Sequence, residues 1–210
     1  MTAVFAALTL AAVGWLLVAE RRGSRAGIWL WKPIASTGFV ATALAAGAID
    51  SRYGELVLAA LLFCWLGDVL LIPDDERIFR VGILAFLLGH LAFAAAFVIR
   101  GVEPTVAAVT LAALSLNAWL TLRWLGPHLS ADFRVPVTIY VAVISFMVAT
   151  AVGTFAFARC VPLLAGALAF AVSDTSVARD RFVRSEFANR AWGLPLYYVA
   201  VLLLAISVPR

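Results

Sequence analysis

Two aspartates are the chemically conspicuous residues of this 210-residue chain. Asp68 and Asp174 each follow a small residue, in the pairs Gly67-Asp68 and Ser173-Asp174, inside otherwise apolar runs. An ionisable group in such a run is costly unless paired, solvated or neutralised, so it marks a functional site by default. Lys32 and His90 are the other titratable groups in apolar surroundings, and Asn117, Ser173, Tyr140, Tyr197 and Tyr198 are milder polar ones. Two carboxyl groups in one nonpolar site can divide the roles of acid and base: the protonated member donates, the ionised member activates water. That chemistry needs no metal and no cofactor. Two alternatives stay open on these residues. Asp68, His90 and Asp174 could ligate a metal, although they form no local ligand motif. The same groups could relay protons in a coupled transporter.

Plainer roles exist for the remaining groups. Lys32 can snorkel to an interface, and the tyrosines can belong to an interfacial belt. His90 shares a helix face with Phe86, Phe93 and Phe97 and can be a packed core residue. Asn117 can join two helices. Cys64 and Cys160 read as small packing residues rather than a disulfide.

The elements that position these groups follow from composition. The chain is 64% hydrophobic and only 13% charged, with a mean hydropathy of +1.02. Soluble domains run near 45–50% apolar and 25% charged, so the solvent here must be lipid. A nucleic-acid module and a disulfide scaffold are excluded with the other soluble classes. Apolar runs lie at about 3–19, 28–49, 54–72, 81–99, 105–124, 135–157, 161–178 and 191–208. Each is long enough for a spanning helix and too long for a barrel strand. The expected fold is an all-α integral membrane protein, a bundle of eight transmembrane helices forming one domain over 1–210. The cluster Arg21-Arg22 follows the first run rather than preceding it, so the first helix is expected to be retained rather than cleaved as a signal.

Basic residues set the orientation. Loops after the first, third, fifth and seventh helices, with their helix edges, hold twelve: Arg21, Arg22, Arg25, Lys32, Arg77, Arg80, Arg123, Arg134, Arg179, Arg181, Arg184 and Arg190. The opposite side holds four: Arg52, Arg100, Arg159 and Arg210. This bias places the odd loops in the cytoplasm and both termini outside. Trp29, Trp31, Trp124 and Trp192 then fall near the cytoplasmic interface. The Ala-, Arg- and Val-rich composition points to a bacterial inner (plasma) membrane.

At 1.5 Å of rise per residue, Asp68 and Asp174 lie about 6 Å from the cytoplasmic ends of their helices, and His90 and Asn117 roughly 10–14 Å deep. Lys32, Tyr140, Tyr197 and Tyr198 fall in the same half of the membrane. This sorting predicts a single polar cavity open toward the cytoplasmic leaflet. A four-plus-four parallel pseudo-repeat is also suggested. Helices three and seven carry a small-residue–Asp pair at equal depth, and helices two and six carry Pro33 and Pro136 near their starts, where a missing N–H costs little.

An ordered set of segments resembles the YhhN-type membrane proteins, the lysoplasmalogenase family. The set comprises Lys32-Pro33, Phe63-Cys64-Trp65-Leu66-Gly67-Asp68-Val69-Leu70-Leu71, Phe86 with His90, and Pro136 with Tyr140. Gly166-Ala167-Leu168-Ala169-Phe170-Ala171-Val172-Ser173-Asp174 and the Tyr197-Tyr198 pair complete it. The resemblance covers nearly the whole chain. It implies hydrolysis of the vinyl-ether bond of lysoplasmalogens, a lysophospholipid substrate, to a fatty aldehyde and glycerophosphoethanolamine or glycerophosphocholine. On that reading Asp68 and Asp174 are jointly catalytic, without a division of roles, and Lys32 holds the phosphate. His90, Asn117, Tyr140, Ser173, Tyr197 and Tyr198 then shape the binding pocket.

Overall fold

A computed structural model describes residues 1–208; Arg210, one of the four basic residues counted on the opposite side, lies outside the described residues. Among the described residues there are eight α-helices: α1 (Thr2–Arg22), α2 (Arg25–Ala45), α3 (Arg52–Leu70), α4 (Glu76–Arg100), α5 (Pro104–Leu125), α6 (Ala131–Ala158), α7 (Val161–Ala178) and α8 (Phe187–Ile206). In lipid every backbone N–H and C=O must be satisfied within the chain, which leaves the helix as the natural solution for runs of this length.

Several helices begin earlier than their apolar runs, because polar caps rather than hydropathy decide where the backbone starts to coil. Asp75 Oδ1 accepts from the N–H groups of Arg77 and Ile78 at 2.8 and 2.9 Å, starting α4 at Glu76 instead of 81. Ser24 caps α2 through Gly27 N, directly after Gly23 has closed α1 in the left-handed region at φ 63°. The α1–α2 hairpin therefore turns within two residues. α2 stops at Ala45 rather than 49, and a turn containing Gly47 at φ 92° follows. Because α2 and α6 start early, Pro33 and Pro136 lie inside their helices rather than in the first turn.

Among the described residues seven helices are long and apolar enough to cross a membrane, and the chain is an integral membrane protein. α2 is the exception because it carries Lys32, Ser36 and Thr42. All three are buried in the bundle instead of facing lipid.

Sequential helices pair as hairpins, α1 with α2, α3 with α4, α5 with α6 and α7 with α8. α2 also packs on α3 and α8, just as α6 packs on α7 and α4. Those contacts follow the four-plus-four relation. The two halves differ at their first helices: α1 lies against α8, whereas α5 packs chiefly on α6 and buries only Leu125.

The odd loops gather at one end. Arg25 pairs with Asp74, Arg190 with Glu20, and Phe79, Phe133 and Phe182 stack edge to face. At the other end Tyr53 bonds Ser207 at 2.6 Å, and Arg100 covers the Tyr53 ring and donates to the Ser207 carbonyl. This alternation is what eight successive crossings require.

Since lipid tails are as apolar as leucine, helix association here depends on close packing. Gly166 supplies it between α7 and α8, where a Cβ would lie 2.9 Å from the Ala200 carbonyl oxygen. The main core fills with Phe39, Phe93, Phe97, Phe170 and Tyr198, all fully buried.

Candidate functional site

A cavity of about 630 Å³ opens at the arginine-rich end and reaches both aspartates. Lys32, Asp68, Asn117, Tyr140, Ser173, Asp174 and Tyr197 all line it. His90 and Tyr198 do not; they stand one layer behind. The polar groups that depth alone sorted into one half of the membrane thus do converge.

They converge as two clusters. Asp68, 2% exposed, sits near the end of α3 and is ringed by donors. Its Oδ2 accepts from Ser36 Oγ at 2.7 Å and from Tyr197 Oη at 2.8 Å, and its Oδ1 is 3.9 Å from Lys32 Nζ. Ser36 and Lys32 come from one face of α2 at i, i+4 spacing, and Tyr197 comes from α8. Tyr198 supports this cluster from behind, with its hydroxyl 3.1 Å from Ser36 Oγ and 3.4 Å from the Lys32 carbonyl. Three donors around one carboxylate suit an anion.

Asp174 on α7 has a different environment. Tyr140 Oη, from α6, donates to its Oδ2 at 2.8 Å. His90 Nε2, from α4, lies 3.5 Å from the same oxygen and has no hydrogen-bond partner among the described residues. The other ring nitrogen of His90 is 2.7 Å from the Phe86 carbonyl. A carbonyl only accepts, so Nδ1 carries a hydrogen, and a neutral His90 presents a lone pair at Nε2. Two lone pairs facing each other at this distance repel. A proton held between Asp174 and His90 removes that conflict, whichever residue carries it formally. The ring is fixed there by Phe170, 4.5 Å away between centroids, and by Tyr140 at 5.3 Å.

The two aspartates expected to divide the roles of acid and base stand in two separate arrangements, with no hydrogen bond joining the carboxylates among the described residues. Lys32, expected to hold a phosphate, points its ammonium at Asp68. Ser173 spends its hydroxyl on the Phe170 carbonyl of its own helix at 2.7 Å. Asn117 faces the cavity from α5 and makes no side-chain hydrogen bond among the described residues. No three His, Cys, Asp or Glu side chains among the described residues are placed to hold one metal ion. Both cysteines are free.

The two clusters obey the four-plus-four relation. Each aspartate stands on the third helix of its half, meets a polar group from the second helix of that half, and meets another from the last helix of the opposite half. Ser36 corresponds in this way to Tyr140, and Tyr197 to His90. Ser36 did not stand out in the sequence, although its spacing from Lys32 was a usable signal. The apolar wall behind both sites is shared: Tyr197 meets Phe86 and Phe170 edge to face at 5.8 and 5.2 Å. Gly67 makes room for Phe86, since a Cβ there would lie 2.6 Å from its ring.

Comparison with known proteins gives a consistent answer. The model of the YhhN family matches residues 27–208. The chain is 32% identical over 186 residues to a bovine (Bos taurus) protein named lysoplasmalogenase TMEM86A, covering 86% of this chain and 72% of that protein. It is 34% identical over 157 residues to the human (Homo sapiens) protein of the same name, covering 72% of this chain and 64% of the relative. A lysoplasmalogenase of Mycobacterium bovis is 34% identical over 172 residues, covering 76% of this chain and 62% of the relative. No solved structure matches.

Proposed function

This chain belongs to the YhhN family, and from that premise we propose that it is a membrane hydrolase cleaving the vinyl-ether bond of lysoplasmalogens. The products are a fatty aldehyde and a glycerophospho-alcohol. The reading is supported by the named lysoplasmalogenases among its relatives. The observation that carries the mechanism is the unequal setting of the two aspartates, one ringed by donors and one facing the Nε2 atom of His90.

A vinyl ether hydrolyses by protonation of the alkene carbon β to oxygen, which leaves an oxocarbenium ion. Asp174 is the acid in this scheme, drawing on the proton it holds with His90, while Tyr140 fixes the carboxyl group. Asp68 remains the anion. It faces the developing positive charge and takes a proton from the water that adds to the cationic carbon. Collapse of the hemiacetal breaks the carbon–oxygen bond to glycerol and releases the aldehyde. Lys32, Ser36 and Tyr197 hold and orient the Asp68 carboxyl group in a site that is otherwise apolar.

The cavity suits a single-chain lipid. From Tyr140 the α6 wall continues through Ile144 and Val148, eight residues or about 12 Å deeper. The tail fits along that wall with the polar end toward the arginine-rich mouth. The twelve-to-four distribution of basic residues supports an orientation with this mouth in the cytoplasm and the termini outside. In a Cys160→Ser background, membrane-impermeant labelling of a cysteine introduced at Ser24 should fail in intact cells and succeed after lysis; the reverse pattern would overturn that orientation.

The function is tested with purified protein in detergent and a 1-alkenyl lysophospholipid. Aldehyde release from the parent should fall by at least about a hundredfold in both Asp68→Asn and Asp174→Asn, the scale of losing a general acid or base. Absence of aldehyde from the parent, or full release from both variants, would sink the proposal.

A further inference from the structure

Four basic side chains line the cavity: Arg25, Lys32, Arg181 and Arg190. Three of them already have carboxylates. Arg25 Nη2 is 2.5 Å from Asp74 Oδ2, and Lys32 Nζ is 3.9 Å from Asp68 Oδ1. Arg190 lies 2.9 Å from Glu20 and 3.5 Å from Asp180. Arg181 differs. Among the described residues it forms no salt bridge and donates no side-chain hydrogen bond. Its guanidinium carbon instead rests 4.3 Å from the centroid of the Phe79 ring.

That stacking is a prepared arrangement. Phe79 is wedged between Phe133 and Phe182, with centroids 6.0 and 6.2 Å away. A guanidinium lying over an aromatic face keeps its in-plane N–H groups available, the geometry suited to two oxygens of one phosphate. The residue belongs to a short π-helical segment, Arg179–Val183, that continues α7. Such segments occur often at functional sites. Arg181 follows Asp174 by seven residues. Both side chains line the same cavity, and seven residues of helical rise put them about 10 Å apart along the axis. The reach from an sn-1 vinyl-ether carbon through glycerol to the phosphorus is of the same order. Because the other three cations are already matched, an anion entering the mouth finds unspent positive charge at Arg181.

We propose that Arg181 is the binding residue for the phosphate diester of a single-chain lipid whose sn-1 bond lies at Asp174, an assignment that rests on the hydrolase reading for its register. It displaces Lys32 from the role the sequence suggested and separates the site by depth. The phosphate sits at the rim on α7's π-helical extension, and the reacting bond lies two turns below it.

The test uses ligands that bind without being cleaved. A 1-O-alkyl lysophosphatidylcholine, the matching 1-O-alkylglycerol and inorganic phosphate are titrated against the full chain in detergent, with intrinsic tryptophan fluorescence as readout. The parent should prefer the phosphate-bearing lipid by about 10- to 100-fold, the range for hydrogen bonds to a charged partner. Arg181→Gln should lose that preference while its affinity for the alkylglycerol stays unchanged, and Arg181→Lys should keep part of it. With the cleavable lipid, Arg181→Gln should raise KM by a similar factor.

A preference that survives in Arg181→Gln overturns the assignment. So does equal weakening of both lipids, which would mark Arg181 as merely structural. Competition by inorganic phosphate as effective as that by the whole lipid would make this a free-phosphate site and end the lipid assignment. If Arg181-dependent lipid binding is found but the parent releases no aldehyde, the phosphate contact stands and the hydrolase reading fails. If Arg181→Gln cleaves the lipid with the parental KM, the hydrolase reading stands and the phosphate contact fails.

Discussion

Removing the positive charge of Lys32 separates stability from catalysis at Asp68. The two side chains are 10% and 3% exposed, and their charged atoms are 3.9 Å apart. At an effective dielectric constant near 20, that separation corresponds to an attraction of about 4 kcal/mol. Lys32→Met keeps the apolar stem and strands the carboxylate with only Ser36 and Tyr197 as donors. Breaking a buried pair from one side typically costs about 3–5 kcal/mol. At about 2–4 °C per kcal/mol for a chain of this size, the midpoint of thermal unfolding in detergent should drop by roughly 10 °C. Replacing both partners by neutral groups is often close to harmless, so Lys32→Met/Asp68→Asn should recover most of that loss. It should not recover aldehyde release, because the carboxylate is gone. The reasoning fails at the first step if Lys32→Met unfolds within a degree or two of the parent. It fails at the second if the double variant hydrolyses substrate at the parental rate.

Tyr140→Phe removes the hydroxyl that donates to Asp174 at 2.8 Å and leaves the ring against His90; kcat should fall by about tenfold, the scale of one hydrogen bond near 1.4 kcal/mol, and an unchanged kcat would deny Tyr140 a positioning role. Gly67→Ala should destabilise by about 1–3 kcal/mol through its clash with the Phe86 ring. Gly14→Ala, whose new methyl group meets nothing within 4 Å, should be neutral in the same thermal scan; equal effects would refute the packing argument. Glu103 caps α5, and the Val106 and Thr105 N–H groups hold its carboxyl below the usual carboxylate range. A depressed folded-state pKa stabilises fully above the unfolded value and is lost as pH falls through the folded one. Glu103→Gln should therefore unfold at lower temperature than the parent at neutral pH, with the difference vanishing in strong acid; a gap that persists there would contradict the cap.

Hydropathy and basic-residue placement determine the eight helices, their alternating directions and the end at which the polar groups collect. The reason is that lipid leaves the backbone little choice but helix, and a fixed rise per residue converts sequence position into depth. Depth is as far as that conversion reaches. The sequence assigns Asp68 and Asp174 equal depths, yet which groups surround each depends on how the helices are rotated and which helices adjoin. That rotation brings Ser36 and Lys32 of α2 and Tyr197 of α8 to one aspartate, and Tyr140 of α6 and His90 of α4 to the other. Hydropathy also misplaces a helix start wherever a side-chain cap such as Asp75 begins the coil ahead of the apolar run. In the sequence Arg181 is only one loop charge among twelve. Its meaning comes from a stacking contact between the segment after α7 and the first turn of α4, a pairing of residues about a hundred positions apart that hydropathy cannot see and only packing in three dimensions creates.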